Sequence, residues 1–155
     1  MKFEYKHTFD VDIDTLIASM FHPELPPVLV SKMTTVKDIE VLERQETAER
    51  LTRRVRYLPV PSIKKIGPKT ITPESMQWVE ESSLDKGRKV MTFDNIPTHP
   101  KVREKMTNSG TVEFRSLGPG RSERVMSGEL KVKFPILGRI AEGIIAKTAE
   151  KILDE

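Results

Sequence analysis

"FPILGRIAEGIIAKTAEKILDE", residues 134–155, is the stretch whose reading decides the fold. On a helical wheel Leu137, Ile140, Ala141, Ile144, Ile145, Thr148 and Ile152 fall in one broad arc. Arg139, Glu142, Lys147, Glu150 and Asp154 fall largely opposite. This period marks a long amphipathic helix with one packing face. Pro135 suits its first turn, where the missing N–H costs nothing.

Nothing of comparable helical length precedes it. "KFEYKHTF" (2–9) alternates, with Phe3, Tyr5, His7 and Phe9 on one side, so it reads as a half-buried strand. "DVDIDTLIASMF" (10–21) opens a helix through Ile13, Leu16, Ile17 and Met20, with Asp12 or Asp14 available to accept first-turn N–H groups. The proline-rich "HPELPPVLVSKM" (22–33) predicts a second short helix or turn.

Strand patterns then run to the last helix. "KDIEVLERQE" (37–46) alternates, and "RLTRRVRYLPV" (50–60) puts Leu51, Arg53, Val55 and Tyr57 on one face. "SMQWVEESSLD" (75–85) and "KVMTFDNI" (89–96) flank the turn "DKGR", while "SGTVEFRSL" (109–117) and "RSERVMSGELKVKF" (121–134) bracket "GPG" at 118–120. "PVPSIKKIGPKTITPES" (59–75) holds four prolines and a glycine, so it predicts an exposed connection rather than a central strand. "KVREK" (101–105) reads as a short exposed turn of helix. The pattern therefore predicts one α+β domain over residues 1–155, an antiparallel sheet of about six or seven strands whose apolar face the last helix covers.

Composition sets outer limits. The 155 residues are enough for one buried core without staples. There is no cysteine, which excludes disulfides and thiolate chemistry. Lys and Arg number 26 against 23 Asp and Glu, a net charge of +3. That mild, dispersed bias argues against nucleic acid as a partner. The opening has no signal-like apolar core, and no run reaches transmembrane length, so a cytoplasmic protein is expected. No oligomeric state follows from the pattern.

The order of elements resembles the START-like, or helix-grip (SRPBCC), superfamily, which includes the birch pollen allergens and polyketide cyclase-like proteins. "MKFEYKHTFDVDIDTLIASMFHP" (1–23) and "SGELKVKFPILGRIAEGIIAKTAEKIL" (127–153) carry the resemblance. The opening is similar to an uncharacterised bacterial branch of it. "VPSIKKIG" (60–67) with "SMQWVEESSLDKGRKVMTFDNI" (75–96) is also similar to PRELI-type phospholipid-transfer domains. The resemblance implies a curved sheet wrapped around the C-terminal helix, with two short helices after the first strand and a cavity for an apolar ligand.

Tyr5, Val55, Tyr57, Met76, Trp78, Phe93, Phe114, Met126, Leu137, Ala141, Ile144 and Thr148 are the candidate lining residues, with Met91 beside them. Each equally suits a filled core. Small Ala141 and Thr148 on the helix face leave room for a ligand or let the sheet approach. His7 and Arg53 are the only weak catalytic candidates. An inward Arg53 needs a carboxylate, Glu80 or Glu81; a shifted register would put it in solvent. His22 and His99 stand beside prolines in loops, and no spacing suggests a metal or cofactor site. Ile63, Lys64, Lys65, Ile66 and Lys69 form an apolar and basic segment able to touch an anionic membrane, or an ordinary solvated loop. No phosphate loop, nucleophile elbow or HExxH is present. Binding, sequestration or transfer of an apolar or amphipathic ligand, such as a lipid, is the expected function. The alternatives are a cyclase- or dehydratase-type enzyme using polar residues of the same cavity, or an interaction module with a filled core.

Overall fold

The computed structural model describes residues 1–66, 68–133 and 138–155, with the side chains of all of these except 66 and 138–140. The chain opens with strand β1 (Lys2–Phe9), helix α1 (Ile13–Met20) and helix α2 (Leu25–Lys32). The hairpin β2 (Val36–Glu46) and β3 (Arg50–Pro59) follows. The proline-rich connection carries a separate two-residue hairpin, β4 (Lys65–Ile66) and β5 (Lys69–Thr70), and a 3-10 turn at Glu74–Met76. Then come β6 (Trp78–Asp85), β7 (Val90–Pro97), the short helix α3 (Pro100–Arg103), β8 (Met106–Ser116), β9 (Ser122–Val132) and α4 (Gly138–Asp154).

Seven strands form one antiparallel sheet in the order β1-β9-β8-β7-β6-β3-β2. Turns join β2–β3, β6–β7 and β8–β9, α3 lies between β7 and β8, the proline-rich connection links β3 to β6, and β1 crosses over to pair with the last strand. Edge strand β2 is irregular, with two register shifts, and leaves Val41 and Leu42 exposed. Gly110 and Gly128 face each other across β8 and β9. A Cβ on Gly110 would stand 2.1 Å from the Ser127 carbonyl oxygen and 2.9 Å from the Phe93 ring. One on Gly128 would stand 2.7 Å from the Phe3 ring. The missing side chains thus let two aromatic rings lie against the backbone.

The described packed core gathers beside α1. Leu16 and Phe21 meet Leu51, Leu84, Met91, Phe93, Val112 and Phe114, with Phe3, Phe9, Ile13, Ile17, Met20 and Met126 around them. Phe21 and Phe114 meet edge to face at 6.1 Å. This cluster sits under α1 and contains no described residue of α4. Ala141, Ile144, Ile145 and Ile152 are half-buried, and Thr148 is its only buried described side chain. Leu137 lies outside the described residues.

Two local expectations also change. Asp12 stands at the N-cap of α1 without a side-chain cap bond. Its carboxylate instead accepts the Gly120 N–H at 2.7 Å, tying the helix start to the β8–β9 turn. Gly118 and Gly120 hold that turn with φ of 115° and 70°, where glycine alone avoids a steric cost. Glu142, expected on the outer arc, is half-buried and accepts the Val132 N–H at 3.1 Å.

Candidate functional site

Cross-strand register builds the inner face of the sheet in rows, because directly opposed residues share a face. One row runs Phe3, Gly128, Gly110, Phe93, Ser82 and Arg53 from β1 to β3. The next runs Leu130, Asn108, Asn95, Glu80 and Val55. Beyond it Tyr57 stacks on Trp78, with ring centroids 5.1 Å apart and an interplanar angle of 9°. A polar row of Asn108, Asn95 and Glu80 thus crosses the middle of a largely apolar surface.

Among the described residues, four buried side-chain polar atoms have no hydrogen-bond partner: Arg53 Nε, Asn95 Oδ1, Asn108 Oδ1 and Arg124 Nε. The register puts all four residues on the same inner face, Arg124 opposite His7 and Phe114. Each unmet group costs roughly 1–3 kcal/mol, so unsatisfied atoms are ordinarily rare.

Arg53 does point inward. Its guanidinium lies 4.6 Å from the Phe21 ring centroid. Of its two candidate partners, Glu81 points outward and pairs with Arg54 at 3.1 Å. Glu80 shares the inner face. Burial raises its carboxyl pKa, with Arg53 and Ser82 pulling the other way. Burial also raises the Tyr57 phenol pKa, helped by Glu80 and opposed by Arg53. Both residues nonetheless retain accessible surface.

Under the C-terminal half of α4 a second polar line begins. Arg124 Nη2 donates to His7 Nδ1 at 3.1 Å, and His7 Nε2 faces Asp154 at 3.5 Å. A guanidinium has no lone pair to offer, so His7 accepts at Nδ1 and carries its proton on Nε2. Burial lowers the Arg124 pKa. The Tyr5 hydroxyl donates to the Ala146 carbonyl at 3.5 Å, and burial, then Glu150 and Asp154, raises its pKa. At the helix end Glu155 accepts the Thr34 and Thr35 N–H groups at 3.0 and 3.1 Å. It also accepts both threonine hydroxyls. These bonds pull its pKa down to about 2. Polar clasps therefore hold α4 to the sheet and to the start of β2.

The expected lining residues separate into groups. Tyr5, Val55, Tyr57, Trp78 and Met126 lie on the inner face, and Ala141, Ile144 and Thr148 lie on α4. Phe93 and Phe114 are buried in the core under α1. Met76 belongs to the 3-10 turn before β6, so it does not follow the strand period of Trp78. Asn95, Asn108 and Arg124 were not singled out from sequence. Their signal was present, since each occupies an inward step of an alternating strand beside buried Phe, Val, Leu or Met.

Two grooves of about 400 Å3 each are lined by described residues. One lies between α1 and the strands, over Leu51 and Leu84; the other lies along the turns at Thr47–Arg50 and Asp85–Gly87. Neither is lined by a described residue of α4. Among the described residues no helix is long and apolar enough to cross a membrane.

No family model matches the chain, and no curated protein matches it significantly. Solved structures match along its whole length. A protein from Thermus thermophilus aligns with a TM-score of 0.69 and 16% identity, covering 99% of this chain and 92% of the other. A START superfamily protein from Mycobacterium smegmatis aligns at 0.57 and 12%, covering 99% and 92%. The chain has the START-like, helix-grip fold. A Streptomyces aromatase/cyclase shares this helix-grip fold at 0.64 and 14%, covering 99% and 89%. So does norcoclaurine synthase from Thalictrum flavum, at 0.62 and 14%, covering 98% and 83%. In such a helix-grip chain the last helix lies across a single sheet, and the unmet polar atoms found here line the inner face of that sheet.

Proposed function

We propose that this helix-grip protein binds an amphipathic small molecule between the inner face of the sheet and α4, for sequestration or transfer. One observation carries the reading: Arg53, Asn95, Asn108 and Arg124 each hold on the same face a buried polar atom with no partner among the described residues. A closed apolar core would exclude such atoms, whereas a bound polar group satisfies them. The half-buried Tyr5, Tyr57, Trp78, Met126, Ala141 and Ile144 supply apolar contact around them. A few polar groups on an apolar wall are what a small-molecule site requires. Tyr57 and Glu80, strongly desolvated yet accessible, support space beside them. Burial of the ligand's apolar part drives binding at about 25 cal/mol per Å2. The fold accommodates such ligands, since a norcoclaurine synthase neighbour was solved with dopamine and hydroxybenzaldehyde.

The exposed Lys64, Lys65 and Lys69 on and beside the β4–β5 hairpin, with half-buried Ile63, fit brief contact with an anionic membrane during transfer. The side chain of Ile66 lies outside the described residues. The binding test is native mass spectrometry of delipidated protein after exposure to a lipid extract. A discrete small-molecule adduct is expected, and repeated recovery of empty protein counts against the reading.

A second reading is acid–base chemistry in the same place. It is favoured by Glu80, a desolvated carboxyl at the end of the polar row with a guanidinium nearby. A cyclisation or dehydration activity abolished by Glu80→Gln, with ligand binding retained, would select it.

A further inference from the structure

Five arginines are half-buried among the described residues: Arg44, Arg53, Arg54, Arg56 and Arg124. Three have carboxylates at ion-pair distance. Arg44 meets Glu46 at 3.2 Å, Arg54 meets Glu43 at 3.0 Å, and Arg56 meets Glu40 directly and Asp38 at 3.9 Å. Arg53 and Arg124 have none among the described residues, and each keeps a buried Nε without a partner. These two are the pair that face the proposed ligand space. Both approach the same aromatic pair, Arg53 over the Phe21 ring and Arg124 opposite Phe114 in register. Arg44 stands next to Arg53 across β2 and β3, its own charge paired with Glu46. Glu80 is near enough to act on Arg53 but forms no ion pair with it.

A desolvated cation without a counter-charge is strongly unfavourable, and its guanidinium fork matches a carboxylate. Resting on the small-molecule reading above, we propose that the ligand is an acidic amphiphile whose carboxylate pairs with Arg53. Arg124 adds to the positive field that draws the head group in. The apolar part extends along the half-buried Tyr57 and Trp78, which stack beyond the polar row. The neutral side chains of Asn95 and Asn108 accept hydrogen bonds from any hydroxyl or amide the ligand carries beyond its acid.

The test compares three ten-carbon probes by isothermal titration at pH 7.5: decanoate, decanol and decyltrimethylammonium. Their tails match, so differences report the head group. Decanoate should bind at least about tenfold more tightly than decanol, with the cation weakest. Arg53→Met should abolish the preference for decanoate and leave decanol affinity unchanged. The same substitution removes a half-buried guanidinium that has no ion pair among the described residues, so the ligand-free variant should melt at a higher temperature than the wild type. Arg53→Lys keeps the charge and should keep the preference. Decanol binding as tightly as decanoate would overturn the acidic assignment while leaving the small-molecule site intact. Binding of none of the three would overturn both. An Arg53→Met variant that melts lower and still prefers decanoate would show that Arg53 has a structural role only.

Discussion

Asn95 and Asn108 stand directly opposite each other on β7 and β8, each with a buried side-chain carbonyl oxygen that no donor among the described residues reaches. The two residues form the centre of the inner face, between Glu80 on one side and Leu130 on the other. Water can serve such a pair, but so can a ligand, and the two differ in what substitution does.

The ligand-free protein should gain stability when one of these amides is removed. Asn95→Leu replaces an unmet polar group with a shape of similar size, and a gain of about 1–3 kcal/mol is expected. Urea unfolding of apo protein measures it directly. A loss of stability would mean that Asn95 has a partner which holds the fold.

The position of the core makes a second, comparative prediction. Phe21→Ala removes a ring from the cluster under α1 and should cost about 3–5 kcal/mol. Ile144→Ala on α4 should cost no more than about 2 kcal/mol, because that side chain is only half-buried. Equal losses would place the main core under α4 after all.

Glu155 predicts an acid-sensitive clasp. Its folded pKa, about 2, lies below an unfolded value of about 4.3. A depressed carboxylate contributes stability that is complete above the unfolded value and disappears as pH falls through the folded one. The melting temperature of wild type should therefore exceed that of Glu155→Gln by a constant amount above about pH 5. The difference should close as pH approaches 2. Amide exchange in α4 should be faster in the variant at neutral pH. A gap that stays open in acid would assign the effect to something other than the carboxylate charge.

Glu80 predicts the opposite sign. Burial raises its folded pKa above the unfolded one, so the native state binds the proton more tightly. Stability then falls as pH rises above about 4.3 and through the folded value. Glu80→Gln should remove that decline and melt higher than wild type at pH 8. Parallel pH profiles for the two proteins would show that Glu80 is not burdened by its burial.

Trp78 offers an internal reporter for ligand occupancy, since it is the single tryptophan and lies stacked on Tyr57. Its emission should shift when decanoate is added to wild type, and the shift should weaken in Arg53→Met. An unchanged spectrum at saturating decanoate would place the bound molecule away from this wall.

Alternation and turn chemistry determined the elements. Period two in "KFEYKHTF" and in the later strands, with glycine turns between them, made an antiparallel meander of about this many strands legible from residues alone. The 3.6 period made α4 legible in the same way. Both are local signals, set by which side chains alternate along a few turns or a few pleats. The inward direction of Arg53 was already implicit in its spacing from Leu51 and Val55. What tertiary structure alone decided is which strands lie side by side, with β1 returning to pair with β9, and hence that Asn108, Asn95 and Glu80, from three separate strands, form one row. It also decided that Leu16 of α1 and Phe21 just after it join the described core, while the long helix is held by Glu142, Asp154 and, just past its end, Glu155. Hydrophobic periodicity shows that a helix has a face to bury, but not how close the opposing surface comes, because that distance depends on side chains more than a hundred residues away.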